Sequence, residues 1–247
     1  MIRESRIIAL IPARSGSKGV PNKNLIKIGG HSLLDWSITA CKKSCLIQRT
    51  IVSTDSIEYS KHALKLGAEV PFLRPREISG DNSTDIQFIN HALNWFATNG
   101  GDPTFIVHIR PTTPFRDPSI IDEAIHKIMN TNDSTITSLR SVHKMSETAY
   151  KCFELNKNNF LKPAGFSNIQ DIDLINDSRQ SFPDTYVANG YVDILLTDHI
   201  RRSGKIHGKR VMPFLTSEAI ELDTEEDLRY LEYKLDKDKY FFKILFN

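Results

Sequence analysis

The stretch that decides the fold lies near the start of the chain and reads Ile7-Ile8-Ala9-Leu10-Ile11-Pro12-Ala13-Arg14-Ser15-Gly16-Ser17-Lys18-Gly19-Val20-Pro21-Asn22-Lys23-Asn24. Its first five residues are a continuous apolar run with no polar alternation. Such a run predicts a strand that is covered on both faces, as in a parallel sheet. Pro12 ends the run, and a polar turn follows at the position where ligands bind in open α/β folds.

This turn has the composition of an anion site. Its glycines and serines allow backbone N–H groups to converge on one point, and Arg14, Lys18 and Lys23 place three cations around it. The turn matches neither the Walker pattern nor the three-glycine dinucleotide pattern. The sequence therefore predicts a cradle for a polyphosphate.

Strand and helix patterns alternate along most of the chain. Further strands are expected at residues 50–53, 104–109, 134–139 and 219–222. Helices are expected to start at Ser32, Ser56, Thr84, Asp117 and Thr224. This alternation predicts βαβ units and a doubly wound, mostly parallel α/β sheet.

The alternation breaks after about residue 145, where short segments are separated by Asn, Pro and Gly. We expect residues 146–205 to form a projecting, hairpin-bearing insertion that makes an oligomer contact. Residues 1–145 and 206–247 would then form the nucleotide-binding α/β domain. The aromatic end, residues 240–246, is expected to dock on this domain or on a neighbouring subunit.

Composition argues against several classes of protein. The chain has 247 residues, 32 Lys and Arg, 30 Asp and Glu, and a formal net charge of +2, which disfavours nucleic acid as a partner. No run of apolar residues is long enough to span a bilayer, so we expect no membrane association and a cytoplasmic location. The three cysteines are expected to be reduced thiols. Charge is nonetheless unevenly placed: residues 1–27 hold six basic side chains and one acidic one, whereas residues 218–227 hold six acidic and no basic ones.

The opening turn resembles the signature of the acylneuraminate cytidylyltransferases, enzymes that activate sialic acids and related nonulosonic acids as CMP-sugars. Further segments follow in the order of that family: Val52-Ser53-Thr54-Asp55, Phe72-Leu73-Arg74-Pro75, Arg110-Pro111-Thr112-Thr113-Pro114-Phe115-Arg116, Asn189-Gly190 and the carboxylates near Glu221. The resemblance covers about residues 6 to 235. It implies a Rossmann-like nucleotidyltransferase fold, CTP and a nine-carbon 3-deoxy-2-keto sugar acid as substrates, and a homodimer.

The resemblance also implies roles for individual residues. Catalysis would fall to Arg14, Lys23 and Asp223, and CTP would be bound by Ser15, Lys18, Asn24, Arg74, Ser83 and Arg110. The sugar acid would be bound by Lys151, Arg179, Gln180 and Asn189. Asp223 and Glu221, two apart on an expected strand, would hold Mg²⁺, with Mn²⁺ as an alternative. Asp85 is expected to cap the helix that follows the CTP residues.

Three positions depart from the family pattern. Glu221 stands where Asp is more usual, Asp193 stands where a tyrosine is common, and Arg110 stands where some members have Gln. The side chain of Arg110 could face either the sugar or the base. Two alternatives therefore stay open beside a synthetase for nonulosonic acids: a cytidylyltransferase for an eight-carbon ketoaldonic acid, and a sugar-nucleotide-binding protein without turnover.

Overall fold

The fold is built on one six-stranded sheet. The computed structural model describes residues 6–16, 22–164 and 172–247. The strands of the sheet are β1 (Ile7–Pro12), β4 (Arg49–Ser53), β5 (Phe105–His108), β6 (Ser138–Lys144), β9 (Tyr186–Leu196) and β10 (Val211–Leu215), in the order β10-β6-β9-β5-β1-β4. Strand β9 is antiparallel to both of its neighbours, and the other pairs are parallel. The predicted mostly parallel α/β sheet is therefore confirmed.

Two short ribbons, seven α-helices and five short 3-10 helices complete the described part of the chain. The ribbons pair β2 (Lys27–Ile28) with β3 (His31–Ser32) and β7 (Phe153–Leu155) with β8 (Leu161–Pro163). The helices are α1 (Leu33–Lys43), α2 (Ile57–Lys65), α3 (Asp85–Thr98), α4 (Pro118–Met129), α5 (Thr197–Ser203), α6 (Glu225–Lys237) and α7 (Tyr240–Phe246).

Local capping signals account for most helix starts. Ser32 and Thr224 each form a capping box with an aspartate three residues later, and Asp117 caps α4 with Pro118 in its first position. The prediction for Asp85 is wrong, because Thr84 is the N-cap of α3 and donates its N–H to Gln87 at 2.8 Å. Asp85 is the first helical residue, and its carboxylate is left to other partners.

The sheet is covered on both faces, which explains the continuous apolar run in β1. Ile7, Ala9 and Ile11 pack into a core with α1, α4, α6 and α7. Ile8 and Leu10 pack on the opposite side with α3 and α5. Each of the five apolar residues of β1, Ile7 to Ile11, is therefore buried, as a two-sided α/β sheet requires.

The aromatic C-terminus docks on its own chain. Phe246 stacks on His31 with ring centroids 3.6 Å apart and meets Trp36 edge-on at 4.8 Å. Phe241 stacks on Phe115 at 5.7 Å. Of the two expected docking partners, the sheet domain is the one that the structure shows.

Two predicted strands differ in the structure. Residues 134–137 form a turn in which the Asp133 carboxylate accepts the N–H of Thr135 at 2.9 Å, so β6 starts only at Ser138. The strand predicted at 219–222 is wrong, since the backbone contact there is one bond from the N–H of Leu222 to the Thr112 carbonyl at 2.7 Å. The strand of this region is β10, whose Pro213 is tolerated because β10 lies at the edge of the sheet.

The predicted insertion, residues 146–205, extends too far toward the C-terminus, because β9 and α5 belong to the main sheet and its covering layer. Strand β9 lies between β5 and β6, and α5 packs on the sheet through the buried Ile200. Gly190, which suggested a turn, lies inside β9 with φ 67°, opposite a break in the β6 register. Among the described residues of 146–185, what lies outside the main sheet is the β7–β8 ribbon with its flanking turns. Its role in dimerisation stays a prediction.

The three cysteines are free thiols, and Cys41 is buried. Burial raises the pKa of the Cys41 thiol to about 12. Among the helices of the described residues, none has the length and apolarity that crossing a membrane requires.

The position of β9 can be tested by core substitution. Ile194 is fully buried in β9, so Ile194→Ala should lower the free energy of unfolding by about 2–5 kcal/mol, measured by urea denaturation. The control is Leu155→Ala in the projecting ribbon, where the leucine is 64% exposed and the change should stay within about 0.5 kcal/mol. Equal small effects at both positions would contradict a β9 that belongs to the core.

Candidate active site

A cleft lies at the carboxyl ends of β1 and β5. It is lined by Pro12, Arg14, Lys23, Asn24, Arg74, Ser83, Thr84, Asp85, Phe88, Arg110, Pro111 and Thr112. Six of these are residues that the sequence predicted for CTP or catalysis: Arg14, Lys23, Asn24, Arg74, Ser83 and Arg110. The position agrees with the rule that ligands of open α/β sheets bind beyond the carboxyl ends of the strands.

The two described cations of the opening turn, Arg14 and Lys23, each pair with a carboxylate. Arg14 Nη1 lies 2.9 Å from Asp81 Oδ1, and Lys23 Nζ lies 2.9 Å from Asp223 Oδ1. Asn24 is buried and donates its Nδ2–H to the Arg14 carbonyl at 3.0 Å, which fixes the backbone that carries Arg14. Lys18 lies outside the described residues.

Asp55 anchors the same turn from the neighbouring strand. Its Oδ1 accepts the N–H of Ser15 at 2.7 Å, and its Oδ2 accepts the Ser15 hydroxyl at 2.6 Å. Ser15 is therefore held by a protein carboxylate and does not line the cleft. Asp55 follows β4 in the quoted Val52-Ser53-Thr54-Asp55 segment, but its distance from Ser15 in sequence hid this partnership.

Arg74 forms part of the cleft wall. It is 5% exposed, donates from Nη2 to the Ser53 carbonyl at 2.7 Å and from Nε to Ser53 Oγ at 3.1 Å, and stacks over the Phe88 ring at 4.8 Å. Burial lowers the pKa of its guanidinium to about 10, so Arg74 stays charged at neutral pH. The side chain offers the cleft a flat, fixed cation.

Arg110 lies between two carboxylates. Its Nη2 donates to Asp85 Oδ2 at 2.8 Å and its Nη1 donates to Asp193 Oδ2 at 3.0 Å. Burial alone would lower the pKa of Arg110, but Asp193 and Asp85 raise it. The neighbouring His108 is fully enclosed, and burial together with the Arg110 charge lowers its pKa to about 4, so it is neutral near pH 7.

A buried arginine joins the loop after β5 to β9. Arg116 has no exposed surface and donates to the carbonyls of Tyr191 at 2.6 Å, Arg110 at 2.7 Å and Gly190 at 2.8 Å, and also to the Thr113 carbonyl. Its pKa is lowered by burial to about 10, which leaves it charged at neutral pH. The sequence contained Arg116 in the quoted motif but offered no sign that its partners are backbone carbonyls.

The two carboxylates predicted to bind metal contact residues of the cleft, but they do not lie on a strand. Glu221 Oε1 accepts the Thr112 hydroxyl at 2.7 Å, and Asp223 pairs with Lys23. Leu222 between them is buried and bonded through its N–H to the Thr112 carbonyl. Within residues 6–16, 22–164 and 172–247, no group of three or more His, Cys, Asp or Glu side chains could hold a metal ion.

The four residues predicted for the sugar lie outside this cleft. Arg179 donates to the Met145 carbonyl at 3.0 Å and lines a second cavity together with Thr216 and Ser217. Asn189 is buried and donates to Thr216 Oγ1 at 2.7 Å. The Lys151 ammonium lies 5.7 Å from the centroid of the Phe182 ring, and Gln180 is exposed in a short 3-10 helix. The structure thus brings Arg179 and Asn189 close to one loop but does not join any of the four to the cleft.

Comparison with known proteins identifies the type of fold and the relatives of the chain. Residues 8–234 match the family model described as cytidylyltransferase. The chain also resembles a solved structure of CMP:2-keto-3-deoxy-manno-octonic acid synthetase complexed with CTP, with a TM-score of 0.67 over 94% of this chain and 99% of that one. At 12% identity, this likeness shows the fold alone.

Three relatives are similar over most of this chain. The N-acylneuraminate cytidylyltransferase of Escherichia coli is 29% identical over 92% of this chain, which spans about half (51%) of that protein. The CMP-N,N'-diacetyllegionaminic acid synthase of Legionella pneumophila is 31% identical over 90% of this chain and 93% of its own length. Post-translational flagellin modification protein B of Campylobacter coli is 30% identical over 95% and 97% of the two chains.

The role of Arg116 can be tested by removing its donors. Arg116→Met keeps much of the volume but leaves four buried carbonyls without their donor, so the free energy of unfolding should fall by about 3 kcal/mol or more. Arg229→Met is the matched control, because Arg229 has a side chain 77% exposed and should change stability by less than about 0.5 kcal/mol. A stable Arg116→Met protein would show that the loop after β5 holds its place without this residue.

Proposed function

The chain belongs to the cytidylyltransferase family, and we propose that it is the enzyme that activates a nonulosonic, sialic-type acid with CTP, releasing pyrophosphate and the CMP-sugar. The observation that carries the proposal is the convergence of Arg14, Lys23 and Arg74 on one cleft at the carboxyl ends of parallel strands. The names of the relatives support the class of sugar acid, since they include an N-acylneuraminate cytidylyltransferase and a CMP-legionaminic acid synthase.

The reaction forms one P–O bond, breaks another at the same phosphorus and releases the proton of the attacking hydroxyl to solvent. The anomeric hydroxyl of the sugar acid attacks the α-phosphorus of CTP, and the bond from this phosphorus to the β-phosphate oxygen breaks. Such a transfer depends on positioning and on neutralising the phosphate charge. Arg14 and Lys23 supply the positive charge that neutralises the phosphates, and the planar fork of Arg14 can hold two phosphate oxygens.

Both cations can exchange their present partners for phosphate. The side chains of Asp81 and Asp223 are 34% and 66% exposed, and ion pairs with exposed carboxylates contribute only about 0–1 kcal/mol. A triphosphate with several negative charges therefore competes well for Arg14 and Lys23. Asn24 and Asp55 keep the turn in place during the exchange, because they bond to its backbone.

Asp223 and Glu221 are the residues that we propose for Mg²⁺ or Mn²⁺. Both are hard oxygen donors, and each is tied to a cleft residue, Asp223 to Lys23 and Glu221 to Thr112. Mg²⁺ is commonly bound by one or two carboxylates together with substrate phosphates, so two protein ligands are enough. When bound, the ion would neutralise phosphate charge.

We also propose that the working enzyme is a homodimer in the cytoplasm. The projecting β7–β8 ribbon exposes a run of large apolar side chains, with Leu155 64%, Phe160 68% and Leu161 53% exposed. Such a patch favours a protein partner, and a second copy would bring Lys151, Arg179 and Gln180 near a cleft that they do not line within one chain. These residues would then bind the carboxylate and hydroxyl groups of the sugar acid.

The reaction can be tested with a panel of acids. Purified protein, CTP and MgCl₂ should release pyrophosphate with at least one of neuraminate, legionaminate and pseudaminate acids, and not with 3-deoxy-octulosonate. Chelation of the metal should stop the release, because the triphosphate charge is then no longer neutralised. The measurement is pyrophosphate formed per minute in a coupled assay.

Arg14→Ala is the matching variant. It should lower kcat about 100-fold or more, since one electrostatic donor to the reacting group is lost, while the melting temperature stays near that of the wild type because Arg14 is part-exposed in a turn. Release with none of the acids, despite measurable binding of CTP, would contradict the synthetase and favour a binding protein without turnover.

The dimer can be tested by sedimentation. The wild-type chain should sediment with twice its mass of 28.1 kDa, and the double variant Phe160→Ser with Leu161→Ser should sediment as a monomer because the apolar contact is lost. Leu64→Ser is the control, since Leu64 is 54% exposed on α2, away from the ribbon. A monomeric wild type would rule out the homodimer.

A further inference from the structure

Two departures from the family pattern contact each other in this chain. Arg110 and Asp193 are 83 positions apart, and their side chains pair at 3.0 Å. Asp193 is 1% exposed, so its charge lies in the interior next to one end of the cleft. A buried ion pair is costly to desolvate and contributes little net stability. Net stability alone therefore does not account for the pair, whereas the part of Arg110 that faces the cleft can contact a ligand.

Arg110 and Asp85 present a hydrogen-bond donor beside an acceptor. Both residues line the cleft, and Arg110 Nη2 lies 2.8 Å from Asp85 Oδ2. Each Nη of a guanidinium carries two hydrogens, so Nη2 keeps one for a ligand, and an ionised carboxylate can only accept. The side chain of Asp85 is 40% exposed, which leaves it accessible from the cleft.

We propose that this pair reads the Watson–Crick edge of cytosine, with Asp85 accepting from the exocyclic N4 amine and Arg110 donating to N3. Cytosine carries a donor at N4 next to an acceptor at N3, and uracil carries the reverse, an acceptor at O4 next to a donor at N3. Each contact that suits cytosine therefore meets a like group in uracil. The inference rests on the proposed use of CTP.

Other cleft side chains are poorer readers of this edge. The hydroxyls of Ser83 and Thr84 can both donate and accept, so they suit either base. The Asn24 amide nitrogen is already bonded to the Arg14 carbonyl. Among the described side chains that line the cleft, Asp85 is the one that accepts without donating.

The carboxylate and the acylamino group of the sugar acid fit the pair less well than the base does. Its carboxylate would be repelled by Asp85. An acylamino group is a trans amide, whose N–H and C=O point in opposite directions, so it cannot meet an adjacent donor and acceptor together. The base presents both groups on one edge.

Asp193 is a positioning residue in this arrangement. It holds Nη1 of Arg110 from the interior while Asp85 holds Nη2, so the guanidinium cannot rotate without breaking a bond. Arg140 Nε lies 3.6 Å and His207 Nε2 4.0 Å from the Asp193 carboxylate, which they partly compensate. Within the described residues, Asp193 Oδ1 has no hydrogen-bond partner, so Arg110 is its strongest contact.

The test is the affinity of the full chain for nucleotides, measured by calorimetry with Mg²⁺ and without any sugar acid. The wild type should bind CTP about tenfold or more tightly than UTP, the discrimination expected of a good pair of base contacts. Asp85→Asn should bring the two dissociation constants within about threefold, because an amide can donate to O4 of uracil. Asp193→Asn should also bring the dissociation constants of CTP and UTP closer together, because Arg110 loses the carboxylate that holds its Nη1 from the interior.

The control is Asp198→Asn, which removes the same charge from an exposed ion pair with Arg202 and should leave the ratio unchanged. Should Asp85→Asn fail to fold, the wild type can be titrated with 2-pyrimidinone riboside triphosphate, which lacks the amine and should bind about tenfold more weakly than CTP.

Several outcomes would overturn the inference. These are equal binding of CTP and UTP by the wild type, an unchanged ratio in Asp85→Asn, and binding of the pyrimidinone nucleotide as tight as that of CTP. A change in the KM of the sugar acid with the nucleotide ratio intact would assign the pair to the sugar instead. Because these affinities need no turnover, a chain that selects CTP but releases no pyrophosphate would refute the proposed enzyme and keep the inference.

Discussion

The cleft depends on the buried guanidinium of Arg116. A charged group with no exposed surface needs partners for its donors, and four of the five N–H groups of Arg116 donate to carbonyls from the loop after β5 and from β9. The loop that carries Arg110 and Thr112 is therefore pulled against the antiparallel strand. Thr112 in turn holds the segment with Glu221 and Leu222. One buried cation thus positions the loop after β5 and, through Thr112, the acidic segment with Glu221.

The near-zero net charge of the chain hides two opposed regions that meet in this cleft. The basic start of the sequence and its acidic segment near residue 220 are joined by the pair of Lys23 and Asp223, which lie 200 positions apart. Arg14 is compensated in the same way by Asp81. Compensation by exposed carboxylates keeps the cations in place without a strong bond, which suits a site whose ligand is a highly charged polyphosphate.

The sequence was most informative where the deciding interactions are local. The two-sided burial of β1 follows from five consecutive apolar residues, and the caps at Ser32, Asp117 and Thr224 act within three positions. Prediction failed where tertiary context decides: Gly190 lies inside a central strand, and Pro213 is acceptable only because β10 is an edge. Six predicted nucleotide and catalytic residues share the cleft, but the bonds of Asp55 to Ser15, of Asp193 to Arg110 and of Arg116 to Gly190 span 40 to 83 positions and carry no local signal.

Arg110 and Asp193 have to be considered as one unit. Removing Arg110 leaves the Asp193 carboxylate, which is 1% exposed, without its strongest partner, and breaking a buried pair in this way costs about 3–5 kcal/mol. Replacing both partners by neutral groups of similar size avoids that cost. In this chain, the guanidinium that faces the cleft is thus held from the interior by a carboxylate that does not line the cleft. Base selection and fold stability are coupled through the same bond. The effect of any substitution here therefore has to be separated into its effect on the free energy of unfolding and its effect on nucleotide affinity.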